Sequence, residues 1–103
     1  MPSTQDYCDF VLDQLSLLPD ITTRKMMGEY IFYHKGKIFG GIYDNRFLVK
    51  PVEAAKKMMP DAPMEIPYPG GKKMLLVEDI DNREFLKELI IDICNELPTP
   101  KAK

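Results

Sequence analysis

Apolar residues in this chain follow a helical period at both ends and a strand period between them. Near the start, Tyr7, Val11, Leu15 and Leu18 recur at helical spacing with Cys8 and Leu12 beside them, which leaves Asp9, Asp13 and Gln14 to water. Ser3 is the expected cap of this helix, answered by Asp6 three residues on, and Pro19 its expected stop. Thr22 to Met27 reads as a connector, and Gly28 as freedom for the backbone before a strand. In Glu29 to Tyr33, alternation sets Tyr30 and Phe32 against Ile31 and Tyr33, and Lys35-Gly36 offers a hairpin turn. A second strand then runs over Lys37 to Tyr43, Asp44-Asn45 turns the chain again, and Arg46 to Lys50 returns as a third.

Pro51 opens a short helix over Val52 to Met59, with Ala54, Ala55, Met58 and Met59 on its apolar side and Pro60 behind it. Prolines 63, 67 and 69 confine Met64 to Ile66 to a short edge strand, since proline cannot donate to a ladder. Lys73 to Glu78 is a firmer strand. The last helix opens at Asp81 with Glu84 in the capping-box position, carries an apolar stripe from Phe85 to Leu97, and closes at Pro98. Residues 99–103 read as a frayed tail.

The predicted order is therefore helix, three-stranded antiparallel meander, helix, two strands, helix. This is an α+β, two-layer domain spanning 1–103, with helices on one face of a sheet. Because apolar residues occur on both parities of the strands, the second sheet face is expected to meet a protein partner or a second copy in a homodimer.

At 103 residues, 45% of them hydrophobic and 29% charged, the chain suits one globular domain. No run is long and apolar enough for a membrane span and the first residues are acidic, so a cytoplasmic protein is expected. The net charge of −2 is unevenly spread, at −4 over residues 1–20, +5 over 21–75 and −3 over 76–103. Cys8 and Cys94 lie far apart without metal or redox spacing and read as buried thiols.

Arg24-Lys25-Met26-Met27-Gly28-Glu29-Tyr30, then Gly41-Ile42-Tyr43-Asp44, Arg46-Phe47-Leu48-Val49-Lys50-Pro51 and Tyr68-Pro69-Gly70 follow one another in a distinctive order. With Leu76-Val77-Glu78 and Asp81 to Leu86, they resemble the N-terminal domain of the TfoX (Sxy) family of bacterial competence regulators. The resemblance covers nearly the whole chain. It implies an α+β fold similar to secretion-chaperone-like domains, a transcription-linked regulatory role, and a stand-alone domain lacking the helical C-terminal domain of longer members.

The residues themselves show no nucleophile with its base, metal cage or phosphate loop, so no enzyme, cofactor or metal is expected. His34, the sole histidine, reads as a solvated turn residue, and Cys8 lacks an evident activating base. Pro69-Gly70-Gly71-Lys72-Lys73 lacks phosphate-loop spacing and reads as a connector; Gly40-Gly41 reads as a bulge or as close packing of a helix over the sheet. The candidate interaction surface is Arg24, Lys25, Tyr30, Arg46 and Lys50, all within the basic middle. Arg24 or Arg46 either pairs with a carboxylate such as Glu29 or Asp44, or meets an acidic partner.

Three functions remain open: a non-enzymatic regulatory or adaptor domain acting through protein contacts, nucleic-acid binding by the basic middle with stacking on Tyr30, Tyr33 or Phe47, and a small ligand-binding or enzymatic domain. The first is favoured by the two-sided sheet. The acidic flanks weigh against the second.

Overall fold

The computed structural model describes residues 4–97. Nine elements follow in order: α1 (Gln5–Gln14), β1 (Ile21–Met26), β2 (Glu29–His34), β3 (Lys37–Tyr43), β4 (Arg46–Val49), α2 (Glu53–Met58), β5 (Met64–Glu65), β6 (Met74–Leu76) and α3 (Arg83–Glu96). The strands form one antiparallel sheet in the order β1-β2-β3-β4-β6-β5. The α+β architecture expected from the sequence is therefore present, with one strand more than expected.

That strand is β1, where a connector was expected. Its sequence, ITTRKM, has no apolar alternation because both faces are largely exposed along its length. It forms because Met27-Gly28 is a two-residue hairpin turn with φ of 52° and 86°, the backbone that matches strand twist. Lys35-Gly36 and Asp44-Asn45 repeat the same left-handed pair, at 51° and 82° and at 54° and 55°. Three tight turns in succession make β1 to β4 a four-stranded meander.

The helix ends differ from the sequence expectation by local capping chemistry. Ser3 lies outside the described residues; α1 is capped by Thr4, whose hydroxyl accepts from the Tyr7 N–H at 3.2 Å, and the Thr4 N–H donates to Asn45 Oδ1 at 2.9 Å. The helix stops at Gln14, before Pro19, because Leu15 to Leu18 wind into turns that bury Leu15 and Leu18, and Asp20 at φ 62° redirects the chain into β1. Gln14, expected in water, is buried: it donates to the Ile80 carbonyl at 2.9 Å and accepts from Arg83 Nε at 3.3 Å. Pro51 stands two residues before the first turn of α2, with Val52 as the cap residue. In α3 the cap is Asn82 and not Asp81; its side chain accepts from Phe85 N–H at 3.1 Å. Pro98 and the expected tail lie outside the described residues.

Register separates the two sheet faces. Tyr30, Phe32, Ile42, Phe47, Val49 and Leu75 share the face covered by α1 and α3, which contribute Cys8, Val11, Leu86, Leu89, Ile90 and Ile93 to one core. A β-bulge interrupts the β2–β3 pairing, so that Phe32 opposes Gly40 while Tyr33 opposes Ile38. The additional residue, Phe39, thereby turns into the core. It meets Phe32 at 6.2 Å and Phe47 at 6.4 Å between ring centroids, both edge-on, and Phe32 lies 5.8 Å from Phe47.

Gly40 permits this arrangement. A Cβ there would collide with the Leu48 carbonyl and sit 2.9 Å from Val49 Cα, both backbone groups of the adjoining β4. The close approach expected at Gly40-Gly41 is made by a neighbouring strand and not by a helix. Gly40→Ala is expected to cost about 1–3 kcal/mol of folding stability, by overpacking against backbone that cannot rotate away. Urea unfolding measures it, and an unchanged midpoint would show that β4 yields freely.

Candidate interaction surface

The opposite face of the sheet carries Thr22, Arg24 and Met26 from β1, Glu29, Ile31 and Tyr33 from β2, Ile38 and Tyr43 from β3, and Arg46 and Leu48 from β4. Leu48 is fully buried and Tyr43 nearly so, although neither belongs to the helix-covered core. Against Tyr43 lies the segment between β5 and β6, residues 66–73, which folds back over this outer face with Pro67 buried. The Tyr43 ring occupies the space left by Gly41: a Cβ on Gly41 would lie 3.0 Å from the Tyr43 hydroxyl and from Cε2. Tyr68 then rests 6.0 Å from Tyr43 between centroids. Burial raises the Tyr43 phenol above its ordinary pKa, and Tyr68, Glu29 and Tyr33 add to the shift.

A type II turn shapes the covering segment. Pro69 takes its second position, Gly70 at φ 86° its third, and the Gly71 N–H closes it onto the Tyr68 carbonyl at 2.9 Å. The Pro69 to Lys73 run is thus a turn followed by two exposed lysines.

Arg46 ties this segment to the sheet. Its Nη1 meets Glu65 Oε1 at 2.6 Å, its Nη2 donates to the Ile66 carbonyl at 3.2 Å, and its Nε to the Tyr43 carbonyl at 3.1 Å. Arg46 thus takes the internal pairing with a carboxylate, and the one at 2.6 Å is Glu65, distant in sequence. Glu29 accepts from the Asp44 N–H at 3.2 and 3.3 Å and so braces the β3–β4 turn.

The five candidate surface residues are not brought together. Arg46 is an internal clamp. Tyr30 is withdrawn from any outside contact: it is buried in the core and its hydroxyl donates to Gln5 Oε1 at 3.2 Å. Lys25 is exposed and holds its ammonium 5.9 Å over the Tyr30 ring, on the helix-side parity of β1. Arg24 is exposed on the outer face of the same strand, and Lys50 lies half-buried beyond β4 beside the outer-face hollow. Phe47, a proposed stacking ring, is also fully buried. Lys37 Nζ is used within the fold, donating to the Cys94 carbonyl at 2.9 Å at the C-terminal end of α3.

An apolar outer face was expected from the strands; what sequence reasoning missed is the part that the loop adds to it. Met26, Met27, Ile38, Ile66 and Tyr68 are all exposed, and Met26, Ile31, Tyr43 and Tyr68 border a hollow of about 440 Å³. The signal was the two-sided apolar pattern of β2 and β3, but the contribution of residues 66–68 depends on a fold-back that no local pattern announces.

His34 is a further correction. Expected in solvent, it is 8% exposed at the end of β2, and its Nε2 has no hydrogen-bond partner among the described residues. It borders a cleft with Leu18, Pro19, Lys37 and Cys94. Burial lowers its pKa; Lys35 and Lys37 also lower it, and Asp20 acts in the opposite sense. Burial pushes both cysteine thiols up, with Asp9 adding to the shift at Cys8 and Lys37 and Lys50 opposing it at Cys94. Among the described residues, no His, Cys, Asp and Glu side chains gather into a group able to hold a metal ion, and no helix is long and apolar enough to cross a membrane.

An antiparallel sheet covered by helices on one side and braced by its own loop on the other defines a small α+β domain. The chain belongs to the TfoX N-terminal domain family, whose model matches residues 13–87. It is also 30% identical over its whole length to the "Uncharacterized 12.7 kDa protein in trpE 5'region" of Spirochaeta aurantia, covering 90% of that protein. No solved structure matches it.

Two outcomes follow from these contacts. Arg46→Gln removes the ion pair but keeps a polar chain; both partners are partly exposed, so the expected loss is about 1 kcal/mol or less. Amide exchange should accelerate within residues 66–73 and stay slow in β2 and β3; exchange unchanged in that segment would show that Arg46 is not its tether. For His34, the folded state binds the proton less readily than the unfolded chain. Its contribution to stability is present above the ordinary value of about 6.5 and is lost as pH falls through the lowered folded value. Urea midpoints between about pH 7 and pH 5 should fall more steeply for the native chain than for His34→Phe. Parallel slopes would place the imidazole in water.

Proposed function

We propose that this chain is a non-enzymatic regulatory domain that acts through protein contact, with the outer face of its sheet as the contact surface. The observation that carries this is the exposed apolar group of Met26, Ile38, Ile66 and Tyr68 around a tyrosine pair that the fold itself holds in place. An apolar surface gains free energy when it is covered, and a braced one meets a partner with little ordering cost. The resemblance to bacterial competence regulators supports a transcription-linked role.

A second copy of the chain is the first partner this face suits. Its principal ion pair, Arg46 with Glu65, is neutral as a unit, while the exposed Arg24, Lys72 and Lys73 on or beside the face oppose self-association at low salt. Nucleic-acid binding is the weaker reading, since Tyr30 and Phe47 are buried and Arg46 and Lys37 are engaged within the fold. Light scattering at high micromolar concentration is expected to give twice the 11.9 kDa chain mass, and Ile38→Lys with Tyr68→Lys to return it to one chain. A strict monomer, or a dimer indifferent to those substitutions, contradicts self-association through this face.

A further inference from the structure

β1 is an open sheet edge of six residues, and its chemistry selects an occupant. The opposite edge, β5, is only two residues long, with Pro63 before it and Pro67 shortly after. β1 contains no proline, its register with β2 runs without a bulge, and among the described residues nothing pairs with its outer side. Natural proteins rarely leave a long regular edge without protection, because its free N–H and C=O groups template another strand.

The hairpin fixes which groups are free. With a two-residue turn at Met27-Gly28, Met26 and Glu29 form the hydrogen-bonded pair next to the turn, and the pattern alternates from there. Thr22, Arg24 and Met26 therefore bond to β2, and the Asp20 carbonyl continues the series by accepting from Lys35 N–H at 3.1 Å. The amides and carbonyls of Ile21, Thr23 and Lys25 point away from the sheet, in its plane.

The side chains flanking those groups are Arg24 on the outer face and Lys25 on the other, both exposed, with no acid anywhere in β1. Two adjacent cations of opposite parity repel a basic strand and attract one with carboxylates on both of its faces. A second copy of β1 is a poor match: antiparallel pairing about Thr23 would set the two Arg24 side chains diagonal to one another on one face and add two lysines nearby. The charges that deter self-pairing also choose the partner.

We propose that β1 binds an acidic peptide segment of a partner protein in extended form, as an added antiparallel strand. Its backbone bonds to Ile21, Thr23 and Lys25, carboxylates lie beside Arg24 and Lys25, and an apolar residue lies beside the exposed Met26. This rests on the contact function above and names the chemistry of the partner. The free backbone groups point along the sheet plane, whereas the proposed dimer surface is the outer face; Met26 and Arg24 border both, so a substitution confined to the backbone edge tells the two apart.

Short linear peptides displayed on phage and selected on the purified chain, then synthesised with a fluorophore and titrated by anisotropy, provide the test. Enriched sequences should carry two adjacent Asp or Glu residues, which fall on opposite faces of an added strand, directly preceded by a Val, Ile or aromatic residue to lie beside Met26, and binding should weaken as salt is raised. Thr23→Pro removes one outward N–H and no bond to β2, so it should weaken binding by at least about tenfold while the light-scattering mass is unchanged. Arg24→Glu with Lys25→Glu, which leaves the backbone ladder intact, should weaken binding likewise. On binding, the Thr23 and Lys25 amides should gain exchange protection while those of Thr22 and Arg24 stay as they were. Failure to enrich any peptide, enrichment of sequences without acidic residues, or affinity indifferent to both variants would overturn the proposal; loss of the dimer alone would not.

Discussion

The outer face depends on a backbone contact buried on the other side of the sheet. β4 approaches β3 so closely at Gly40 that no Cβ fits between Gly40 and the Leu48 carbonyl, and the β-bulge beside that contact turns Phe39 into the core with Phe32 and Phe47. The bulge also resets parity, so that Ile38 stays outside while Phe39 goes in. Beyond it, Gly41 leaves the outer face open for the Tyr43 ring, Tyr68 rests on that ring, and Arg46 holds the strand and loop that carry Tyr68. Each contact supplies the geometry the next requires.

The helices complete the inner layer through end-to-end chemistry as well as apolar burial. Arg83 and Gln14 join the start of α3 to the end of α1, with Arg83 also 2.7 Å from Asp13, and Glu96 accepts from the Ala54 N–H at 2.8 Å at the start of α2. Lys37 closes the other end of α3. These bonds fix the helices over one sheet face and leave the opposite face to the loop. A domain arranged this way presents the outer face of its sheet as a surface.

Much of this was legible in the sequence where the signal was local. Lys35-Gly36 and Asp44-Asn45 announce their turns, Tyr30 and Phe32 their buried face, and the stripe from Phe85 to Leu97 its helix. β1 escaped notice because an edge strand exposed on both faces needs no alternation, and Met27 is an unusual residue for a left-handed turn position. The fate of Arg46 was undecidable from its neighbours, since Glu65 and the Ile66 carbonyl reach it only through tertiary pairing. His34 was misplaced for a related reason: its position beside a turn suggested solvent, whereas packing at the end of β2 buries it. Residues whose environment is set by distant strands leave little trace in a local pattern.

The central claim is that the outer face is a built surface, held in one shape before any partner arrives. Backbone ¹⁵N relaxation across residues 66–73 of the free chain tests it most directly. Order parameters there should match those of the sheet, near 0.85, with Tyr68 as rigid as Tyr43. Values below about 0.6 through the segment would contradict it, because a loop that moves freely cannot hold the tyrosine pair or the apolar surface around it.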